Sequence, residues 1–113
     1  MPHRRRLLRL LEVRAAMMRQ RLAIADRDAG SAAGTAARLN ALTDAYKSEA
    51  GRAGGWWLAA RARQHEQLRV AARAAAERAR SSAVTRERFA TDCVRADLAK
   101  AAVERRMSDR DPD

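Results

Sequence analysis

Between Pro2 and Pro112 the chain contains no proline. No pyrrolidine ring therefore interrupts a helix anywhere along that span. Along the first half, apolar or small residues recur at alternating steps of three and four. They are Leu8, Leu11, Ala15, Met18, Leu22, Ala25, Ala29, Ala32, Ala36, Leu39, Thr43 and Tyr46. No charged residue falls on this seam. A 3.5-residue period held this long requires a helix that packs one face against another helix. Gly30 and Gly34 sit off the seam. Each costs about 1 kcal/mol relative to alanine, which weakens the helix locally without ending it.

The second half carries a similar but less regular seam through Leu68, Ala72, Ala75, Ala79, Ser82, Arg86, Phe89, Cys93, Ala96, Lys100, Val103 and Met107. Arg86 and Lys100 interrupt it, so its packed face is expected to drift toward a neighbouring stripe of Val94, Leu98 and Ala101. Arg73 with Glu77 and Arg88 with Asp92 have the i,i+4 spacing that supports a solvated helix face. Between the halves lies SEAGRAGG, whose Gly51, Gly54 and Gly55 read as a helix stop and turn.

The expected fold is all-α, a single domain over residues 1–113. It is a long antiparallel two-helix coiled-coil hairpin with helix 1 at about 4–50, a Gly-rich turn at about 51–55 and helix 2 at about 56–108. Each helix would be about 75 Å long at 1.5 Å per residue. Alanine is the commonest seam residue, which lets helices approach closely but buries little apolar surface per layer. At about 25 cal/mol per Å² such a pair is only marginally stable. A partner is expected to complete its packing.

Charge narrows the partner. The net charge is +10, from 24 basic and 14 acidic residues, and only Lys47 and Lys100 of the basic set are lysines. A basic surface favours nucleic acid, an anionic membrane surface or an acidic protein, and it also fits a plain solvated helix. Residues 1–25 carry seven arginines and one acid, Glu12. That stretch has the basic character of a mitochondrial transit peptide but lacks its serine enrichment. Its apolar pattern runs on into the helix, so it is read as part of the fold. No apolar run approaches the roughly 20 residues that span a bilayer. The single cysteine, Cys93, excludes an internal disulfide and is read as a small buried hydrophobe.

Catalytic chemistry has almost no material here. His3 and His65 are the only histidines, too few for a metal site, and His65 is expected on the helix surface. Gly54-Gly55 lacks the strand before it and the Lys-Ser/Thr after it that a phosphate loop needs. No cofactor, metal or small-molecule substrate is expected, nor enzymatic activity. Nucleic-acid binding draws on the net charge alone, because no fold fingerprint for it occurs and acids interleave the bases along residues 61–106.

The run MMRQRLAIADRDAG…AARLNALTDAY, a glycine-bearing turn followed by WWLAARARQHEQL, and the ending AAVERRMSD together resemble the flagellar FliJ family. The matching elements are Leu39, Leu42 and Tyr46 before the turn, Trp56 and Trp57 after it, and Glu104, Arg105 and Arg106 near the end. This chain is shorter and richer in arginine than is usual for that family. The resemblance implies a soluble component of the flagellar or type III protein-export apparatus. Such a stalk inserts the paired helix ends into a hexameric export ATPase and directs its turn toward the export-gate membrane protein, with export chaperones as further partners. It would act in the cytoplasm, peripherally at the inner membrane. On this reading Arg4, Arg5, Arg6, Arg9, Arg105 and Arg106 face the ATPase ring, and Leu39, Leu42, Tyr46, Trp56 and Trp57 face the gate.

The two tryptophans sit in RAGGWWL beside the flexible point of the chain. Adjacent helical residues point about 100° apart, so both cannot enter one narrow seam. One is expected to cap the hairpin core and the other to belong to an exposed contact patch. The alternatives that stay open are a basic coiled coil binding nucleic acid and a helical chaperone or adaptor.

Overall fold

The computed structural model describes the backbone of residues 2–50 and 55–110, and the side chains of residues 3–49 and 61–109. Two helices account for that backbone: α1, Pro2–Ala50, and α2, Gly55–Arg110. Pro2 is tolerated as the first helical residue because an amide there would have no intrahelical acceptor. The expected turn falls on residues 51–54, outside the described residues, and Gly55 already belongs to α2. The fold is the expected all-α, antiparallel two-helix coiled-coil hairpin. Its packing divides into two compact units: Met1–Asp26 with Val84–Asp113, and Arg27–Ala83.

In the first unit the α1 residues withdrawn from solvent are Leu8, Leu11, Ala15, Met18, Leu22 and Ala25, joined by a half-buried Arg4. On α2 they include Phe89, Cys93, Ala96, Lys100, Val103 and Met107. The seam thus runs through Lys100 but is interrupted at Arg86, which is exposed, and it does not move onto the neighbouring stripe as a whole. Val94 and Leu98 stay exposed, and only Ala101 of that stripe is half-buried. The reason lies in the length of the basic side chains. Arg86 swings out to solvent, where its Nε donates to Asp26 Oδ1 of α1 at 2.5 Å. That hydrogen bond, aided by the carboxylate charge, holds Arg86 above its ordinary pKa. Lys100 lays its aliphatic stem along the seam while Nζ reaches Glu104 Oε1, 3.9 Å away. A second cross-helix pair joins Arg19 Nη1 to Asp97 Oδ1 at 3.5 Å. Moving from residue 19 to 26 on α1 thus accompanies moving from 97 back to 86 on α2, which is antiparallel pairing.

In the second unit the α1 seam continues through Ala29, Ala32, Ala36, Leu39, Thr43 and Tyr46. Thr43 is buried, and its hydroxyl donates to the Leu39 carbonyl at 2.8 Å, which satisfies it without a break in the helix. The α2 seam reads His65, Leu68, Ala72, Ala75, Ala79 and Ser82, with Arg61 one turn earlier. His65 is therefore half-buried on the packed face rather than on the solvated surface expected for it. Because alanine fills little space, an open groove of about 340 Å³ remains, lined by Asp28, Ser31, Ala32, Thr35, Ala75, Arg78 and Ser82.

The solvated face of α2 departs from expectation in one detail. Neither Arg73 with Glu77 nor Arg88 with Asp92 closes into an ion pair; among the described residues the intrahelical pairs are Arg69 with Glu66 at 3.8 Å, Arg86 with Glu87 at 3.9 Å, and Lys100 with Glu104. Exposed pairs of this kind contribute at most about 1 kcal/mol.

Among the described residues the buried set consists of Ala15, Ala25, Ala36, Thr43, Ala72, Cys93 and Ala96, and no large side chain is fully buried. Such a core leaves little margin over conformational entropy. Helix propensity then counts for a large share of stability. A Cβ added at Gly30 or Gly34 meets nothing within 4 Å. Gly30→Ala and Gly34→Ala are each expected to stabilise the chain by up to about 1 kcal/mol in urea unfolding followed by circular dichroism. Ala72→Leu, at a buried seam position, is expected to destabilise it by about 1–3 kcal/mol in the same measurement.

Candidate partner-binding surfaces

The basic surface is built on the first unit, where both the beginning of α1 and the end of α2 reside. The residue numbers of its cross-helix pairs add to 112 for Asp26 with Arg86 and 116 for Arg19 with Asp97. That register sets Arg9 level with Arg105 and Arg106. Arg5, Arg6, Arg9, Arg105 and Arg106 are exposed and Arg4 is half-buried. None of the six pairs with a carboxylate among the described residues. The nearby Glu104 is turned toward Lys100 instead. The structure therefore gathers six arginines from both helices into one unit and leaves their guanidinium groups available to an anionic surface.

The second surface involves the residues expected near the turn. Leu39 is half-buried on the seam, and Leu42 is exposed. Trp56 and Trp57 lie in the first turn of α2, and their side chains fall outside the described residues. Tyr46 is half-buried and engages α2 through three contacts. Its hydroxyl donates to Gln64 Oε1 at 2.6 Å. The Arg61 guanidinium carbon lies 5.2 Å from its ring centroid, a cation–π distance. The His65 ring is stacked beside it, 6.4 Å between centroids and 28° between planes. Arg61 also joins Glu49 Oε2 through Nη1 at 3.1 Å. The His65 Nε2 atom is buried without a hydrogen-bond partner among the described residues.

Sequence reasoning did not anticipate Glu49, Arg61, Gln64 and His65 as companions of Tyr46. The signal was present: stepping back from Leu68 by three and then four reaches His65 and Arg61, opposite the last α1 seam position. Arginine and histidine do not look like seam residues, so the extrapolation stops short at Leu68. Here an aromatic ring on the partner helix accepts both.

Among the described residues no group of three or more His, Cys, Asp or Glu side chains converges as a metal site would require. Cys93 is buried on the seam. Among the described residues no helix is long and apolar enough to cross a membrane. No protein-family model, curated protein or solved structure matches the chain.

The Tyr46 cluster separates the ring from the hydroxyl as sources of stability. Tyr46→Phe removes one exposed hydrogen bond and is expected to cost less than about 1 kcal/mol. Tyr46→Ala also removes the aromatic and cation–π contacts, and is expected to cost about 1–3 kcal/mol in chemical unfolding. Equal losses from the two substitutions would show that the ring contributes nothing.

Proposed function

We propose that the chain is a non-enzymatic stalk of a flagellar or other type III protein-export apparatus. In this role the arginine-rich end of the first unit inserts into a hexameric export ATPase, and the opposite end meets the export-gate membrane protein, at the cytoplasmic face of the membrane. The observation that carries the reading is the gathering of Arg4, Arg5, Arg6, Arg9, Arg105 and Arg106 onto one unit with no carboxylate paired to them among the described residues. A shaft held inside a ring needs long-range attraction to an acidic lumen and no rigid pocket of its own, because it must slide and turn. Exposed guanidinium groups on a helix pair meet that need. The thin alanine seam is also consistent with an element that is completed by its surroundings.

The direct test is ATP hydrolysis by the cognate ring. The full chain is expected to raise it, and a chain lacking residues 1–9 is expected to lose the effect while keeping its helical circular dichroism. Unchanged stimulation by the truncated chain would rule out the arginine end as the ring contact. At the other end, joint Trp56→Ala and Trp57→Ala substitution is expected to weaken docking to the gate with helix content retained. Collapse of the helices would instead assign the indoles to packing. A nucleic-acid binder of this charge would lose affinity steeply as salt rises, so duplex or single strands that fail to bind even at low salt exclude that class.

A further inference from the structure

Ten large apolar side chains are exposed among the described residues, and eight of them belong to the first unit; only Leu42 and Val70 lie in the second. Four of the eight follow a rule. Leu7, Leu10, Met17 and Ile24 each precede a seam residue by one position, ahead of Leu8, Leu11, Met18 and Ala25. One residue is a rotation of about 100° around a helix. The first turns of α1 therefore carry a second apolar stripe with the same heptad period, lying beside the packed seam. Helix α2 covers the seam, whereas the stripe residues remain 47–62% exposed. Scattered surface leucines are ordinary. Four at heptad spacing form the surface that a coiled-coil neighbour covers.

The two positions that complete the stripe are Arg14 and Arg21, both exposed. No acid stands on it between residues 7 and 24. Beyond residue 26 the same register reads Asp28, Ser31, Thr35 and Arg38, so the apolar character stops there. We propose that this stripe docks one further α-helix from a partner protein, an amphipathic helix with aliphatic a and d positions flanked by Glu or Asp. The apolar residues fix the occupant as a helix of matching period. The two arginines fix its charge, since guanidinium groups at the margin of such a contact pair with carboxylates in a planar, two-pronged geometry. A second copy of the chain fits poorly. It would bring the same two arginines and the same net charge of +10 to the interface. Nucleic acid would satisfy the arginines and leave the four apolar side chains without a role. The inference stands apart from the stalk reading, which concerns a different set of side chains.

The test titrates the full chain into fluorescently labelled synthetic helices of about three heptads, with leucine at a and d and with flanking positions all Glu, all Gln or all Lys. Fluorescence anisotropy at physiological salt is expected to show the Glu helix bound at least about tenfold more tightly than the Lys helix. Joint Met17→Ser and Ile24→Ser is expected to lower that affinity about tenfold or more, and Arg14→Glu with Arg21→Glu to reverse the preference; circular dichroism checks that each variant keeps its helices. Absence of binding to the Glu helix, or unchanged binding by the Met17→Ser and Ile24→Ser chain, overturns the proposal. So does self-association in sedimentation that those substitutions abolish, which would assign the stripe to a second copy. Duplex DNA binding lost on the same apolar substitutions would assign it to nucleic acid. Stimulation of an ATPase ring is not read in any of these measurements, so the stalk reading survives or fails on its own.

Discussion

The structure depends on one kind of contact, repeated in each compact unit: facing helical seams rich in small residues. Alanine at Ala15, Ala25, Ala36, Ala72 and Ala96 lets the helix backbones come close, and it is these positions that are buried. Larger residues such as Leu8, Met18, Leu22, Leu68 and Phe89 stay half-exposed. Close approach favours dispersion between backbones but removes little apolar area from water. The pair is therefore defined sharply in register while it is held only weakly in energy. Its polar contacts reflect the same balance. The cross-helix ion pairs of Arg19 with Asp97 and Arg86 with Asp26 lie in solvent, where they discriminate between registers more than they stabilise the chosen one.

This division explains what could be read in the sequence. On α1 every seam position from Leu8 to Tyr46 is withdrawn, with Gly34 the one withdrawn residue off it, because every seam position is apolar, small or Thr43, and every charge lies elsewhere. On α2 the withdrawn residues keep the same period on either side of Arg86, but two seam positions carry arginine and lysine. Residue type there suggests a drift to Val94, Leu98 and Ala101, of which only Ala101 is withdrawn. A long basic side chain has two parts, an aliphatic stem that packs and a head that leaves for solvent. Lys100 uses the first property and Arg86 the second. His65 was misplaced for the same reason, since its ring packs against Tyr46 and behaves as an aromatic.

The candidate surfaces were legible to different degrees. The arginines near the two ends are visible as composition, and an antiparallel hairpin necessarily brings them onto one unit. Their lack of carboxylate partners required coordinates, because Glu104 is as close in sequence to Arg105 as to any other base, yet it turns to Lys100 one helical turn back. Near the turn the sequence supplies aromatic residues and the structure gives Tyr46 a structural task. It joins the helices through Arg61, Gln64 and His65. Leu42 is exposed beside it on α1, so residues that the sequence presents as one group differ in whether they pack or face solvent.

Arginine is used in this chain in three distinguishable ways, and what lies across the helix pair sets which applies. Where an acid lies across the helix pair, as for Arg19 and Arg86, the guanidinium helps to fix register. Where an aromatic ring lies across it, as for Arg61, the flat head covers the ring and spans to Glu49. Where neither is present, as at Arg5, Arg9 and Arg105, the charge remains in solvent. A two-helix pair has too few facing positions to satisfy 22 arginines against 14 acids. The surplus is set by composition, and the antiparallel pairing decides where on the helices it is left unpaired.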